Sequence, residues 1–179
     1  MKRFLIVTIV ILFAAMQVNA QSANSIGAKI GYINTETILS QIPEYKVAQE
    51  KLEVLSNQYK ERVDGEVKKI EILYQSYQSS KATLSEQVRV QRENEIINRE
   101  RSVKELQKTY FGQDGVMQKK SEELLTPIKD KIQQAIDKIA KDGNFMLIFD
   151  LAALQGVAYS NANDNLSNLV LKIMGYKLN

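Results

Sequence analysis

The sequence predicts a mostly helical α+β chain in which a long antiparallel helical hairpin, a coiled-coil-like arm, projects from a small β-sheet or barrel body. Three observations predict it. Strand-forming runs lie near the two ends of the 179-residue chain, at residues 29–34 and 145–149. Residues 44–125 hold fifteen basic and fifteen acidic side chains, a densely charged stretch that is neutral in sum. Within that stretch the apolar residues recur three or four apart, the mark of one narrow helical face.

The first twenty residues read as an export leader: Lys2 and Arg3, an apolar stretch from Phe4 to Ala15, then Val18-Asn19-Ala20. That apolar stretch falls short of the ~20 residues a permanent membrane helix needs, so cleavage after Ala20 is expected. The mature chain, from Gln21, is then expected to be a soluble protein of the periplasm without stable membrane insertion. With no cysteine in the chain, no disulfide supports its fold, and burial, helix pairing or oligomerisation must do so. Without Lys2 and Arg3, 22 basic side chains face 21 acidic ones. A nucleic-acid partner would need a concentrated basic face, and this balance gives none.

Along the mature chain, residues 29–34 carry β-favouring side chains, and Asn34 or Thr35 caps a short helix from Glu36 to about Gln41. Pro43 suits the first turn of the next helix. From Glu44 to about Ser79 the face runs through Leu52, Leu55, Tyr59, Val63, Val67, Ile70, Tyr74 and Tyr77. About 36 helical residues give a first arm of roughly 54 Å. Its spacing is no strict heptad, so any supercoil should be weak. A turn near Lys81 follows, and Thr83-Leu84-Ser85-Glu86 has the spacing of a capping box that starts the returning arm.

The returning arm has a sparser stripe through Val88, Ile96, Val103, Leu106, Tyr110, Met117 and Leu124. Gly65, Gly112 and Gly115 interrupt good helix sequence at about 1 kcal/mol each, and Gly112 and Gly115 are candidate hinges. Pro127 is expected to kink or restart the helix, whose denser stripe ends near Gly143. Phe145 to Phe149 reads as a buried strand, and Val157-Ala158-Tyr159 as a partner strand after a loop. A last helix runs from about Leu166 to Met174, capped by Asn165 and stopped by Gly175. Residues 1–20 are thus the leader, 21–43 with 126–179 the body, and 44–125 the arm. The body core, or its oligomer contact, is assigned to Ile30, Tyr32 and Ile33, to Phe145, Leu147 and Phe149, and to Val157 and Tyr159. A core so small is marginal alone, and oligomerisation is the simplest remedy.

The chain has neither histidine nor cysteine, which removes the commonest general base, metal ligands and the strongest nucleophile. Asp150, at the end of an apolar run, is read as closing a strand. No glycine spacing fits a nucleotide loop. Neither an enzyme nor any cofactor, ATP included, is expected.

Ile30-Gly31-Tyr32-Ile33-Asn34, Pro43-Glu44-Tyr45, Gly143-Asn144-Phe145 through Asp150, Tyr159 and Asn165-Leu166-Ser167, in this order around a charged hairpin, resemble the Skp/OmpH family of periplasmic chaperones. The resemblance implies a homotrimer whose terminal strands build a small barrel, with three hairpins hanging around a cavity. It also implies ATP-independent holding of unfolded outer-membrane proteins. Family members are often distinctly basic, and this chain's near neutrality leaves at most a weak membrane-surface contact. Asn165 stands where the family tends to have aspartate, a neutral exchange for a helix cap.

Candidate client contacts are the aromatics Tyr59, Tyr74, Tyr77, Tyr110 and Phe111, whose apolar rings and polar tips suit adaptable surfaces. The simpler reading of most of them is arm-to-arm packing. Lys68, Lys69, Arg89 and Arg92 are candidates for fluctuating charged contact. The alternative role is a coiled-coil spacer or envelope adaptor with no affinity for unfolded chains.

Overall fold

The computed structural model describes residues 29–177, and the leader with its cleavage point lies outside them. In chain order the elements are β1 (Lys29–Ile33), α1 (Thr35–Ser40), α2 (Pro43–Ser80), α3 (Glu86–Phe111), α4 (Val116–Asp142), β2 (Phe145–Asp150) and α5 (Ser167–Ile173), with one 3-10 turn at Ala162–Asp164. β1 and β2 pair in parallel, Ile30 opposite Leu147, Tyr32 opposite Phe149 and Ile33 opposite Asp150. Parallel strands need a long crossover. Here the crossover is the arm itself.

The arm begins where the sequence places it. Asn34 caps α1, its Oδ1 accepting from Thr37 N at 2.9 Å. Pro43 occupies the first turn of α2, where its missing N–H costs nothing. α2 then runs unbroken for 38 residues, about 57 Å, straight through Gly65. α3 packs back along it.

Around this frame several expectations change. Ser85 caps α3, its Oγ accepting from Val88 N at 3.4 Å, so the cap lies two residues after the Thr83 expected to supply it. The returning arm is two helices, broken between Gly112 and Gly115, with Asp114 at φ 58°. A Cβ on Gly112 would lie 2.5 Å from Lys108 O, and one on Gly115 2.8 Å from Gly112 O, so the break needs both glycines for close backbone approach. Pro127 does not restart the helix: it sits inside a continuous α4. Ile128, Ile132, Ala135 and Ile139 on that helix are buried, and this packing outweighs the one hydrogen bond that proline removes.

The body core lies where α1, the root of α2, the second half of α4 and α5 meet. Ile38, Ile42, Val170 and Leu171 have no exposed surface. Ile33 and the half-buried Phe145 and Ile148 face this core from the sheet. Gly31 lets β1 approach, since a Cβ there would stand 2.6 Å from Leu166 Cδ1 and 2.9 Å from the Phe145 ring. Polar groups close the joints. Ser167, buried, accepts from Asn34 N at 2.9 Å. Asp150 ends β2 and accepts from Thr35 N at 3.0 Å, Thr35 Oγ1 at 2.7 Å and Ala152 N at 3.1 Å. Asn165 Oδ1 accepts from Ser167 N at 2.9 Å, and Gly175, at φ 89°, ends α5.

The opposite face of the sheet is uncovered, which overturns the reading of Phe145–Phe149 as a fully buried strand. Ile30, Leu147 and Phe149 are exposed to 45%, 45% and 42%, and Tyr32 is half-buried. No strand forms at Val157-Ala158-Tyr159 either. The side of β1 away from β2 is taken by Asn165 and Leu166, whose N–H donates to Tyr32 O at 2.8 Å, and β2, the strand that residues 157–159 were expected to join, pairs with β1 instead. Val157 and Tyr159, assigned to the body core or its oligomer contact, are exposed in the single chain.

Candidate functional site

A two-helix arm can bury only a strip. Val63, Val103 and Tyr110 form its buried cluster, with Tyr59, Ile70, Leu106 and Val116 packed around them. Tyr59 and Tyr110 stack with ring centroids 4.1 Å apart and planes 13° from parallel, and Phe111 meets Tyr110 edge-on at 6.3 Å. The stack lies just beyond the Gly112–Gly115 break. Toward the tip, Tyr77 is buried and donates to Glu93 Oε1, while Lys81 Nζ sits 3.7 Å from the same oxygen and over the Tyr77 ring. Donation to Glu93, and then burial, raise the Tyr77 phenol above its ordinary value.

Three of the five aromatic candidates therefore belong to the seam: Tyr59, Tyr77 and Tyr110. Tyr74, half-exposed, and Phe111 present open ring surface. Val67, expected in the stripe with Tyr74, also lies off the seam. The basic candidates are mostly engaged on their own helices. Lys69 pairs with Glu66 at 2.7 Å, Arg89 with Glu86 at 2.6 Å and Arg92 with Glu95 at 3.3 Å. Lys69's hydrogen bond and charge hold the Glu66 carboxyl below its ordinary value. Such exposed pairs contribute little stability. Lys68 makes no ion pair among the described residues.

Sequence reading missed the apolar side chains that face away from the seam: Val54 and Ile72 on α2, Val90 and Ile97 on α3, all exposed. Their signal was there, in apolar residues out of phase with the three-four stripe. It also missed a clasp at the arm's root, where Tyr176 Oη donates to Glu44 Oε2 at 2.9 Å across 132 residues of sequence.

On the body, the open sheet face and the loop after β2 enclose a shallow apolar depression of about 360 Å³ lined by Ile30, Tyr32, Phe149, Leu154, Val157 and Tyr159. Candidates assigned to the body core or its oligomer contact thus gather on one surface that the single chain leaves exposed.

The sequence model of the family described as outer membrane protein (OmpH-like) matches residues 29–174, from the first residue of β1 to the end of α5. The chain belongs to the OmpH-like family. Within it, the Chaperone protein Skp of Yersinia enterocolitica is 27% identical over 156 residues, covering 86% of this chain and 90% of that one. A crystal structure from Caulobacter crescentus, described as an OmpH-like outer membrane chaperone, matches with a TM-score of 0.62 at 10% identity, over 81% of this chain and 82% of the other. At that identity the match speaks to the fold, a hairpin on a small body. The OmpH-like relatives are chaperones by name, the class the sequence resemblance implied.

Proposed function

We propose that this OmpH-like chain is an ATP-independent holding chaperone of the periplasm that keeps unfolded outer-membrane proteins from aggregating between its helical arms. The observation that carries the reading is the apolar surface left on otherwise charged rods: Val54, Ile72 and Tyr74 on α2, and Val90, Ile97 and Phe111 on α3, all turned out of the seam. Scattered apolar contacts among fixed ion pairs hold a client weakly at many points, which suits release by the client's own folding. Tyr74 and Phe111 are the aromatic client contacts in this reading. Lys68, Lys69, Arg89 and Arg92 add the charged ones.

The uncovered sheet face supports self-association, and a homotrimer with three arms around one cavity is the assembly proposed. Residues 21–43 and 126–179 serve as its body and 44–125 as its arm, with α4 running unbroken across the boundary. The Gly112–Gly115 break is the proposed hinge by which the arm widens. Faster amide exchange at residues 112–116 than in the flanking turns, altered when client is held, would support it, and protection equal to the helices would remove it.

The test of the function is dilution of a urea-denatured outer-membrane barrel protein into buffer without ATP, followed by light scattering. A holding chaperone suppresses the scattering at near-stoichiometric trimer. Unchanged scattering would leave a coiled-coil spacer instead.

A further inference from the structure

Eleven of the 26 residues of α3 carry charge, yet one of its faces carries almost none. Gln87, Gln91, Asn94, Asn98 and Ser102 recur four, three, four and four apart and together line one open surface of the helix. All five are exposed. The charges bordering that surface, Glu95 and Arg99, pair at 3.2 Å, and Glu95 also holds Arg92 at 3.3 Å. The four amides make no side-chain hydrogen bond among the described residues. By contrast, Gln49, Gln75, Gln118 and Gln133 each donate to a side chain four residues away along their own helix. Charged residues hold many of the exposed positions of α2, but none of these five.

We infer that this amide stripe binds the backbone of an extended, unfolded polypeptide. The inference rests on the holding reading above and adds the chemistry of contact. Amides donate and accept at once, so they pair with peptide N–H and C=O whatever the client's side chains are. Along a helix, a four-residue step advances about 6 Å. Two residues of extended chain advance about 6.7 Å, so successive amides meet successive backbone groups on one strand edge within the reach of their flexible side chains. The stripe from Gln87 to Ser102 spans about 22 Å, room for some six extended residues. The five side chains are uncharged, as is a peptide backbone, and each bond is weak enough to be exchanged.

The full-length protein carrying Q87A, Q91A, N94A and N98A together tests this. Alanine adds no charge and favours helix, so circular dichroism should be unchanged. With urea-denatured outer-membrane barrel protein as probe, the variant should bind about tenfold more weakly, a loss summed over several weak hydrogen bonds. That loss should be equal at low and high salt, since no charge is involved. A photo-crosslinking residue at position 91 or 98 should capture the probe, and one at position 104, on another face of α3, should not. If wild type holds the probe while the variant holds it equally and positions 91 and 98 capture nothing, the stripe is only a solvated face. Failure of wild type itself to hold the probe would bring down the holding reading, and this inference with it.

Discussion

In the body, Ile38 and Ile42 near one chain end meet Val170 and Leu171 near the other, and none of the four has exposed surface. In the distal arm the deepest side chains, Val63 and Tyr77, sit on a single interface between two rods. The body surrounds its core from several sides. The arm covers its seam from one. A side chain in the body is therefore coupled to segments more than a hundred residues away, while one in the arm answers mainly to its opposite neighbour. Such structure is expected to open locally, at free energies below that of global unfolding. In the holding role proposed above this division is useful, since the arm can adapt while the body keeps the strands paired.

The strongest way to break the comparison is Leu171→Ala. It leaves a cavity where four elements meet and should cost about 3 kcal/mol, read as a lower urea midpoint by every probe at once. Tyr110→Ala should cost less, about 2 kcal/mol, because a stacked ring on a two-helix seam loses fewer neighbours. Its signature differs too: amide exchange should quicken in α3 and the facing part of α2 while α5 stays protected. If exchange in α5 rose equally, arm and body would be one cooperative unit.

A smaller effect sharpens the picture at the tip. Tyr77 keeps its proton to higher pH than a free tyrosine because it donates to Glu93 and is buried. With the folded value raised, the contribution is fully present below the ordinary tyrosine range, near pH 10, and is lost as pH rises through the raised value. Absorbance titration should show two phenols, Tyr77 and Tyr176, ionising late, and Tyr77→Phe should remove one of them and loosen residues 78–92. If the phenol lost in the variant came from the ordinary range, with the late amplitude intact, Tyr77 would not be clasped.

How much of this was legible beforehand follows the same division. The arm's long helices, the turn near Lys81 and the root at Pro43 were written in local patterns: three-four spacing, a proline suited to a first turn, charge between apolar residues. The seam's partners were not, because Glu93 beneath Tyr77 and Tyr110 on Tyr59 depend on the register of two rods. In the body, the apolar run at Phe145–Phe149 announced a strand but not which face would be covered, since that is decided by α4 and α5 arriving from elsewhere in the chain. Val157 and Tyr159 read as strand by composition, but β2 pairs with β1, from the far end of the chain, and not with them. Gly112 and Gly115 announced an interruption. That they break the helix outright follows from backbone contacts that sequence does not display.

The smallest expected effect lies at the root, where the two regions join. Glu44 opens α2, and its carboxyl is held below its ordinary value of 4.5 first by its own backbone hydrogen bond, then by Tyr176, with Lys131 adding charge. Burial, and then donation to Glu44, push the Tyr176 phenol the other way. For a carboxyl whose folded value is depressed, the stabilising contribution is present above the unfolded value and lost as pH falls through the folded one. Wild type and Glu44→Gln should therefore differ in Tm at neutral pH and converge as pH drops below about 4. Tyr176→Phe keeps the ring packed against the core but removes the donor, so it should reproduce only part of the Glu44→Gln difference, the backbone hydrogen bond being untouched. The carboxyl is solvent-exposed, so the gap should be slight, and amide exchange in the first turn of α2 is its most sensitive measure. Equal exchange there in wild type and both variants would show that α2 is anchored by Ile42 and Ala48 alone, and that Tyr176 contributes only its ring.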